Sequence, residues 1–382
     1  MAIKTYRVEL EPLEPYFFAG ERSFGFGKNR KQNYNNYFIR SESFPTQTTL
    51  LGTIRFEILK KYDLLTTDIN KQDSNLLAKQ AKYIGAKSFD LKETTPDYGM
   101  IKKLSPLFIV NQSGERLVRV PFNQNPESKI EKKNETIYKY DLRTLKKDPY
   151  QVFDGTKDYQ IKLINKVELK SEGNVQRLFY NIDNRNDELI DEDIFIKGFD
   201  KFGINRYIKK DGFFKKEYKY LVDGYKFGFY LEIDDENYDE KLEDIIQDVV
   251  YMGSGKSAFA LKMTKEEETI DNFIDRVVDC FSLSTDDPIY YVISDTLVDY
   301  QKIEKSCYLV ISDTRTFRYL SRNHQAKNYY KLYCQSDLYN IIRAGSVFFV
   351  KGDQEDIFIN EVENNNYEKI GFNKVLKIGG KK

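Results

Sequence analysis

Two short runs in this sequence gather donors where an anion could sit. The first is Met252 to Met263, MGSGKSAFALKM, with Gly253, Ser254, Gly255, Lys256 and Ser257 in a glycine-rich loop. Glycine lets backbone N–H groups approach a phosphate with no Cβ in the way. The second is Phe44 to Phe56, FPTQTTLLGTIRF. Here Thr46, Gln47, Thr48 and Thr49 stand at the mouth of a helix striped by Leu50, Leu51, Ile54, Ile58 and Leu59. Pro45 fits its first turn, Gly52 marks a close approach of another backbone, and Arg55 lies on the same helix. Unpaired N–H groups at a helix start attract phosphate. Taken alone, this segment is a capped amphipathic core helix.

GSGKS is not the phosphate loop of an ATPase or GTPase. That motif needs a glycine five residues before its Gly-Lys pair, and Val250 stands there. The order also differs: Asp239 to Tyr251 reads as a short helix, and AFALKM after the loop as a strand. Other catalytic equipment is sparse. The one histidine, His324, sits in the polar run RNHQAK with Lys327 three residues on. It is the candidate general base if the chain cleaves RNA without metal. No HExxH, GxSxG or CxxC occurs, and Cys280, Cys307 and Cys334 are far apart, which argues against zinc and dithiol chemistry. The acidic EIDDE at Glu232 to Glu236 and the acid-rich run Asp183 to Asp193 read as solvated segments.

Aromatic and basic side chains interleave in three places. Gly20 to Arg40 carries Arg22, Lys28, Arg30, Lys31 and Arg40 among Phe24, Phe26, Tyr34, Tyr37 and Phe38. Phe199 to Gly228 carries seven basic residues from Lys201 to Lys219. Asp313 to Arg343 carries Arg315, Arg318 and Arg322 among Phe317, Tyr319 and several further tyrosines. Basic groups neutralise phosphates and rings stack on unpaired bases, so the mixture suits single-stranded nucleic acid. Overall charge is balanced, with 60 basic and 60 acidic residues, so the chain is no generic polycation.

The elements that must position these groups follow from pattern. Tyr6 to Leu13 alternates as a strand, and Tyr218 to Ile233 does the same. Thr269 to Leu283 is an amphipathic helix. Pro288 to Val298, Ser306 to Ile311 and Ala344 to Val350 read as strands. Ile370 to Gly380, IGFNKVLKIGG, repeats a loop-then-strand pattern with Asn373 and Lys374 in the loop. Asn123 to Lys147 reads as an exposed insertion. At 382 residues, two domains are expected. The N-terminus MAIKTYRVEL has no apolar signal core, and no run approaches the roughly 18 apolar residues of a membrane span. A cytoplasmic location with no membrane contact is the expectation.

The strand Tyr6 to Leu13, the loop EPYFFAGERSFGF with Phe18, Arg22 and Phe24, and then FPTQTTLLGTIR together resemble the opening of a RAMP family. That family is the third subunit of the Cmr-type (type III-B) CRISPR effector complex. IGAKSFDL, IKKLSPLFIV, GINRYIKKDGFFKKE, MGSGKSAFALKM and AGSVFFV resemble it further along, so that Lys87 to Leu91 and Met100 to Val110 are expected as strands. The resemblance implies an α+β chain of two ferredoxin-like (RRM-like, RAMP) domains with long loop insertions, over residues 1–264 and 265–382, the second degenerate. It implies a non-catalytic subunit that needs no cofactor or metal. Such a subunit grips the 5′ handle of the crRNA, docks the large polymerase-type subunit and a backbone RAMP subunit, and meets target RNA only indirectly. The equivalent subunit of the Csm-type complex, or a metal-independent CRISPR RNA-processing endoribonuclease, is the alternative. The RNA-binding residues expected are Phe18, Arg22, Phe24, Lys28, Arg30, Thr46, Gln47, Thr48, Thr49, Arg55, Gly253, Ser254, Gly255, Lys256, Ser257, Arg315, Arg318, Asn373 and Lys374.

Overall fold

The fold comes from a computed structural model that describes residues 3–24, 37–65, 74–124, 147–153, 158–164, 177–185, 189–204, 213–236, 238, 242–243, 245–283, 288–322, 333–363 and 365–380. It is α+β, dominated by antiparallel sheets with few helices. At its centre lies the strand Lys4–Pro12. Tyr6, Val8 and Leu10 point inward and are at most 1% exposed, as the two-residue alternation demands. This strand pairs antiparallel with Lys226–Ile233 on one side and with Ser257–Glu266 on the other. Ile101–Leu104 and Phe108–Val110 pair antiparallel with the far edge of Lys226–Ile233. The Gln47–Lys61 helix lays Leu50, Leu51, Ile54 and Ile58 over the face carrying Tyr6 and Val8.

The opposite face of that sheet presents Phe108, Tyr230, Val118 and Tyr180 to the Ile270–Phe281 helix. Phe108 and Phe273 meet at 5.2 Å between ring centroids. A second sheet closes this layer from beyond, in the order Cys307–Ile311, Val347–Val350, Ile289–Val292, Val375–Gly379, with every pair antiparallel. Its outer face packs on the helices Tyr300–Ser306 and Glu355–Val362 through Ile303, Phe358 and Val362. Numbered along the chain, both sheets thus contain four strands in the spatial order 2-3-1-4. In the second sheet, the helix Tyr300–Ser306 joins strands 1 and 2, and the helices Glu355–Val362 and Asn365–Glu368 lie between strands 3 and 4. The Ser257–Glu266 strand runs past residue 264, where the two halves were expected to divide.

Several local expectations are corrected. The segment before the glycine loop is the strand Ile245–Met252, not a helix. Isoleucines, valines and a tyrosine give it a pleated, half-buried pattern, with Val250 and Met252 inside and Val249 and Tyr251 outside. Residues 218–233 form two strands, Phe213–Leu221 and Lys226–Ile233, separated by a turn with Gly224 at φ +85°. Lys87 to Leu91 is not a strand. Pro288 to Val298 shortens to Ile289–Val292, and Ala344 to Val350 to Val347–Val350. Pro45 precedes the N-cap residue Thr46 instead of lying inside the helix. Asp234 and Asp235 are buried, not solvated: Lys4 Nζ lies 2.7 Å from Asp235, and the Leu242 N–H donates to the same carboxylate. Glu192, in the acid-rich run, is buried too.

Glu192 belongs to an ion network that ties the helix mouth to the second half of the chain. Arg119 lies 2.5 Å from Glu192, and Ser43 Oγ donates to it at 2.7 Å. Arg343 pairs with Glu42 and, at 3.4 Å, with Asp313; Arg315 pairs with Asp295 and, at 3.4 Å, with Glu42. Arg177 reaches Asp313 at 3.5 Å. Burial opposes the charge of Glu192, but Arg119 and Arg177 hold its carboxyl below the usual range. Burial draws Arg119 down from its ordinary value, with Glu192 opposing.

Gly52 is exposed, and a Cβ there would meet nothing within 4 Å, so no backbone approaches it. Gly52→Ala should therefore raise stability by about 0.5–1 kcal/mol in urea unfolding, through helix propensity alone. Glu57 faces Lys60 and Asp248 where the helix crosses Ile245–Met252, and burial lifts its carboxyl to about 7. The folded state then binds more protons than the unfolded one between about 4.5 and about 7. This contribution to stability should fall as pH rises through that window, and Glu57→Gln should flatten the dependence when urea midpoints are compared at pH 5 and pH 8.

Candidate nucleic-acid interface

The glycine loop is the turn of a β-hairpin joining Ile245–Met252 to Ser257–Glu266. Gly253 has φ +75°, and a Cβ on it would lie 2.5 Å from the Phe17 carbonyl oxygen. Only glycine fits there, so the turn is pressed against the segment Pro15 to Phe18. Ser257 Oγ donates to the Pro15 carbonyl at 3.3 Å and is buried. Ser254, Gly255 and Lys256 remain exposed at the tip. Tyr16, in the same segment, donates its hydroxyl to the Ser43 carbonyl at 2.9 Å, three residues before the helix cap Thr46. The loop and the helix mouth thus flank one aromatic segment.

From that segment rises a four-stranded sheet in the order Ile196–Ile204, Phe213–Leu221, Tyr37–Glu42, Phe18–Phe24. Its register decides which side chains share a face. Phe199 pairs with Tyr218, Lys201 with Lys216 and Lys197 with Tyr220. Residues directly opposite in an antiparallel pair lie on the same face. Phe199 and Tyr218 stack with centroids 5.8 Å apart and planes 21° apart. Lys201 lies 5.7 Å from the Tyr218 ring and Lys216 lies 5.3 Å from the Phe17 ring. Phe17 meets Tyr218 at 5.4 Å, which carries the surface back to the glycine loop. Both carboxylates of the two paired strands fall on the other face: Asp200 pairs there with Lys215 at 2.6 Å, and Glu217 with Lys219. One face therefore offers stacked rings and lysines with no carboxylate from either strand. Phe199 is 41% exposed, and Tyr220 is 40% exposed.

The residues expected from sequence fall in different places. Phe18 is a core residue, its ring 6.1 Å from that of Phe259. The side chains of Arg22 and Phe24, and all of Lys28, Arg30 and His324, lie outside the described residues. Thr46 caps the helix: its hydroxyl oxygen accepts from the Thr49 N–H at 3.3 Å and meets the Thr48 and Thr49 hydroxyls at 3.0 and 2.9 Å. Gln47 is buried, and its amide donates to the Ser105 carbonyl at 3.4 Å. Arg55 donates to the Gly85 carbonyl at 3.3 Å. Arg315 is held in the ion network, while Arg318 is exposed and reaches Gln335 at 3.3 Å. Asn373, at φ +53°, is buried and bonds the backbone of Leu297 and Val362. Lys374 Nζ lies 3.5 Å from Glu368.

Phe199, Tyr218, Lys201 and Lys216 were not among the RNA-binding residues expected. Their segment was already marked as basic and aromatic. What the sequence lacked was the register that sorts its acids onto the opposite face. Among the described residues, no three His, Cys, Asp or Glu side chains are grouped to hold a metal ion, and no helix is long and apolar enough to cross a membrane.

The two glycines of the hairpin turn should respond differently to a methyl group. Gly253→Ala should cost more than about 1 kcal/mol, from its left-handed backbone and the Phe17 contact. At Gly255 a Cβ would find its nearest neighbour at 3.6 Å, so Gly255→Ala should stay within about 0.5 kcal/mol. Urea unfolding of the two variants checks this; equal losses would contradict the packing described.

No family model matches this sequence, and it matches none of the curated proteins.

Proposed function

We propose that this chain is a non-catalytic RNA-binding subunit of a type III CRISPR effector, of the Cmr type, that grips the 5′ handle of the crRNA. The observation that carries this reading is the face of the paired strands Ile196–Ile204 and Phe213–Leu221 from which their own carboxylates are turned away, with its Phe199–Tyr218 stack and its lysines beside the glycine turn. Unstacked bases lie on aromatic rings and contribute roughly 1–3 kcal/mol each, while lysines and exposed backbone N–H groups take the phosphates. Lys197, Lys201 and Lys216 supply such charges on one face, and Lys256 is exposed at the hairpin turn.

The strand order supports the finer assignment of the fold. In both sheets the order 2-3-1-4 is that of a ferredoxin-like domain, the unit of RAMP proteins. The second half carries both crossover helices, and the first carries Ile245–Met252 where its second helix would be. On this reading, the large polymerase-type subunit and a backbone RAMP subunit are the protein partners, target RNA is met only through them, and bound RNA stays uncut.

Fluorescence anisotropy with short single-stranded RNA tests the reading. Phe199→Ala combined with Lys201→Ala should weaken binding at least about tenfold. It should also reduce the salt slope by about 0.7, because one phosphate is no longer neutralised. Phe202→Ala, on the opposite face, should change affinity by no more than about twofold, as expected for a side chain off the RNA path. Wild-type protein that fails to bind RNA, or a double variant that binds equally well, would sink it.

A further inference from the structure

The helix Ile270–Phe281 covers only part of the sheet face it packs on. Its Phe273 ring meets Phe108 and Tyr230, on strands to one side of Lys4–Pro12. On that same face, register continues in rows across Lys4–Pro12, Ser257–Glu266 and Ile245–Met252. Just past the first strand, the Leu13 N–H donates to the Ala258 carbonyl, and Ala258 pairs with Tyr251, which makes the first row. Glu11, Ala260 and Val249 make the second row, and Glu9, Lys262 and Gln247 the third. Leu13 is 56% exposed, Val249 44% and Tyr251 67%, while the two alanines are half-buried between them. Small side chains thus floor a shallow trough whose rims are large and apolar. Among the described residues, nothing closes it over.

Size, edge chemistry and charge select the occupant. Strands lie about 4.8 Å apart and alternate residues about 6.7 Å, so three rows make a strip about 10 Å across and about 14 Å long. A helix with its side chains is about 10–12 Å wide, and about nine of its residues span that length. The strip is far below the roughly 800 Å² per partner of a stable dimer, so a second copy packed through it alone would not hold. Strand addition to Ile245–Met252 is opposed, because the Val249 N–H already donates to Asp248 at 2.7 Å and Lys60 holds that carboxylate at 2.6 Å. Glu11, with its side chain 46% exposed, and Glu14, which accepts from the Ala258 N–H, flank the trough on its Lys4–Pro12 side. Lys226 lies nearer Glu9, at 3.1 Å, than Glu11, at 3.8 Å. Phosphates would meet these acids, whereas lysines or arginines beside an apolar stripe would pair with them. We propose that this strip docks one amphipathic helix of a partner protein, laid along the strands beside Ile270–Phe281. Its apolar stripe covers Ala258 and Ala260, and its Lys or Arg flank faces Glu11 and Glu14. The inference does not rest on the RNA-binding reading above.

Two labelled synthetic peptides of about fourteen residues, each locked as a helix by a side-chain staple, probe the strip on the full chain by fluorescence anisotropy. Both carry leucines at i, i+3, i+4 and i+7; one has lysines along a flank and the other glutamates. The lysine peptide should bind at least about tenfold more tightly than the glutamate peptide, and Glu11→Lys should cut that preference to about threefold or less. Tyr251→Asp, at a side chain already in solvent, should weaken the lysine peptide at least about tenfold, and the uncharged Tyr251→Ser should act in the same direction. Affinity of Tyr251→Ser for short single-stranded RNA should stay within about twofold of wild type. The proposal is overturned if neither peptide binds, if both bind equally, or if both Tyr251 variants bind as wild type does. A loss of RNA affinity of about tenfold in Tyr251→Ser would also overturn it, by assigning the ring to a base instead of a helix.

Discussion

The pairing of Glu42 and Glu192 with guanidinium groups, those of Arg119, Arg315 and Arg343 largely buried, is the constraint on which the arrangement depends. Glu42 ends a strand of the projecting sheet, and Glu192 begins a short helix beside it. Their partners come from both halves of the chain: Arg119 and Arg177 from the first, Arg315 and Arg343 from the second. A charge in this setting is tolerable only when its partner is in place, and removing one partner typically costs about 3–5 kcal/mol. The two halves are thus held in a fixed relation by groups that cannot separate without exposing unpaired charge. The helix mouth, the projecting sheet and the second sheet all meet at this point.

Around that junction the molecule uses one solution twice. Four antiparallel strands in the order 2-3-1-4 bury one face against the Ile270–Phe281 helix and the other against helices of their own. The halves differ between their third and fourth strands, where the second has helix and the first has the strand Ile245–Met252. That strand widens the first sheet and makes the glycine loop a tight hairpin turn. The consequence is local: the tip of the turn reaches the aromatic segment at Phe17 and continues the surface of the projecting sheet.

The projecting sheet separates its charges by pleat. Lysines paired with Asp200 and Glu217 lie on one side, and Lys201 and Lys216 lie among rings on the other. A chain with balanced total charge can still present a positive strip, because a strand sends alternate residues to opposite faces. Net charge says little about such a strip, since screening limits each group to its near neighbours.

Much of the framework was legible in the sequence. Tyr6, Val8 and Leu10 alternate, and Leu50, Leu51, Ile54 and Ile58 recur at helical spacing; these patterns fix a strand and a helix through burial of one face. Thr269 to Leu283 likewise gave the Ile270–Phe281 helix. Pattern failed where two readings share the same residues. The acids of Asp239 to Tyr251 favoured a helix, but pairing with Ser257–Glu266 supplied a ladder that local propensity does not see. Gly52 looked like a packing site and is open, whereas Gly253 is the glycine that a neighbouring carbonyl requires. Composition marked the Lys201 to Lys219 run as basic and aromatic. Which of its side chains share a face, which acids are turned away, and which arginines are spent on buried partners depended on strand register and long-range pairing. Those are set by contacts between residues far apart in the chain.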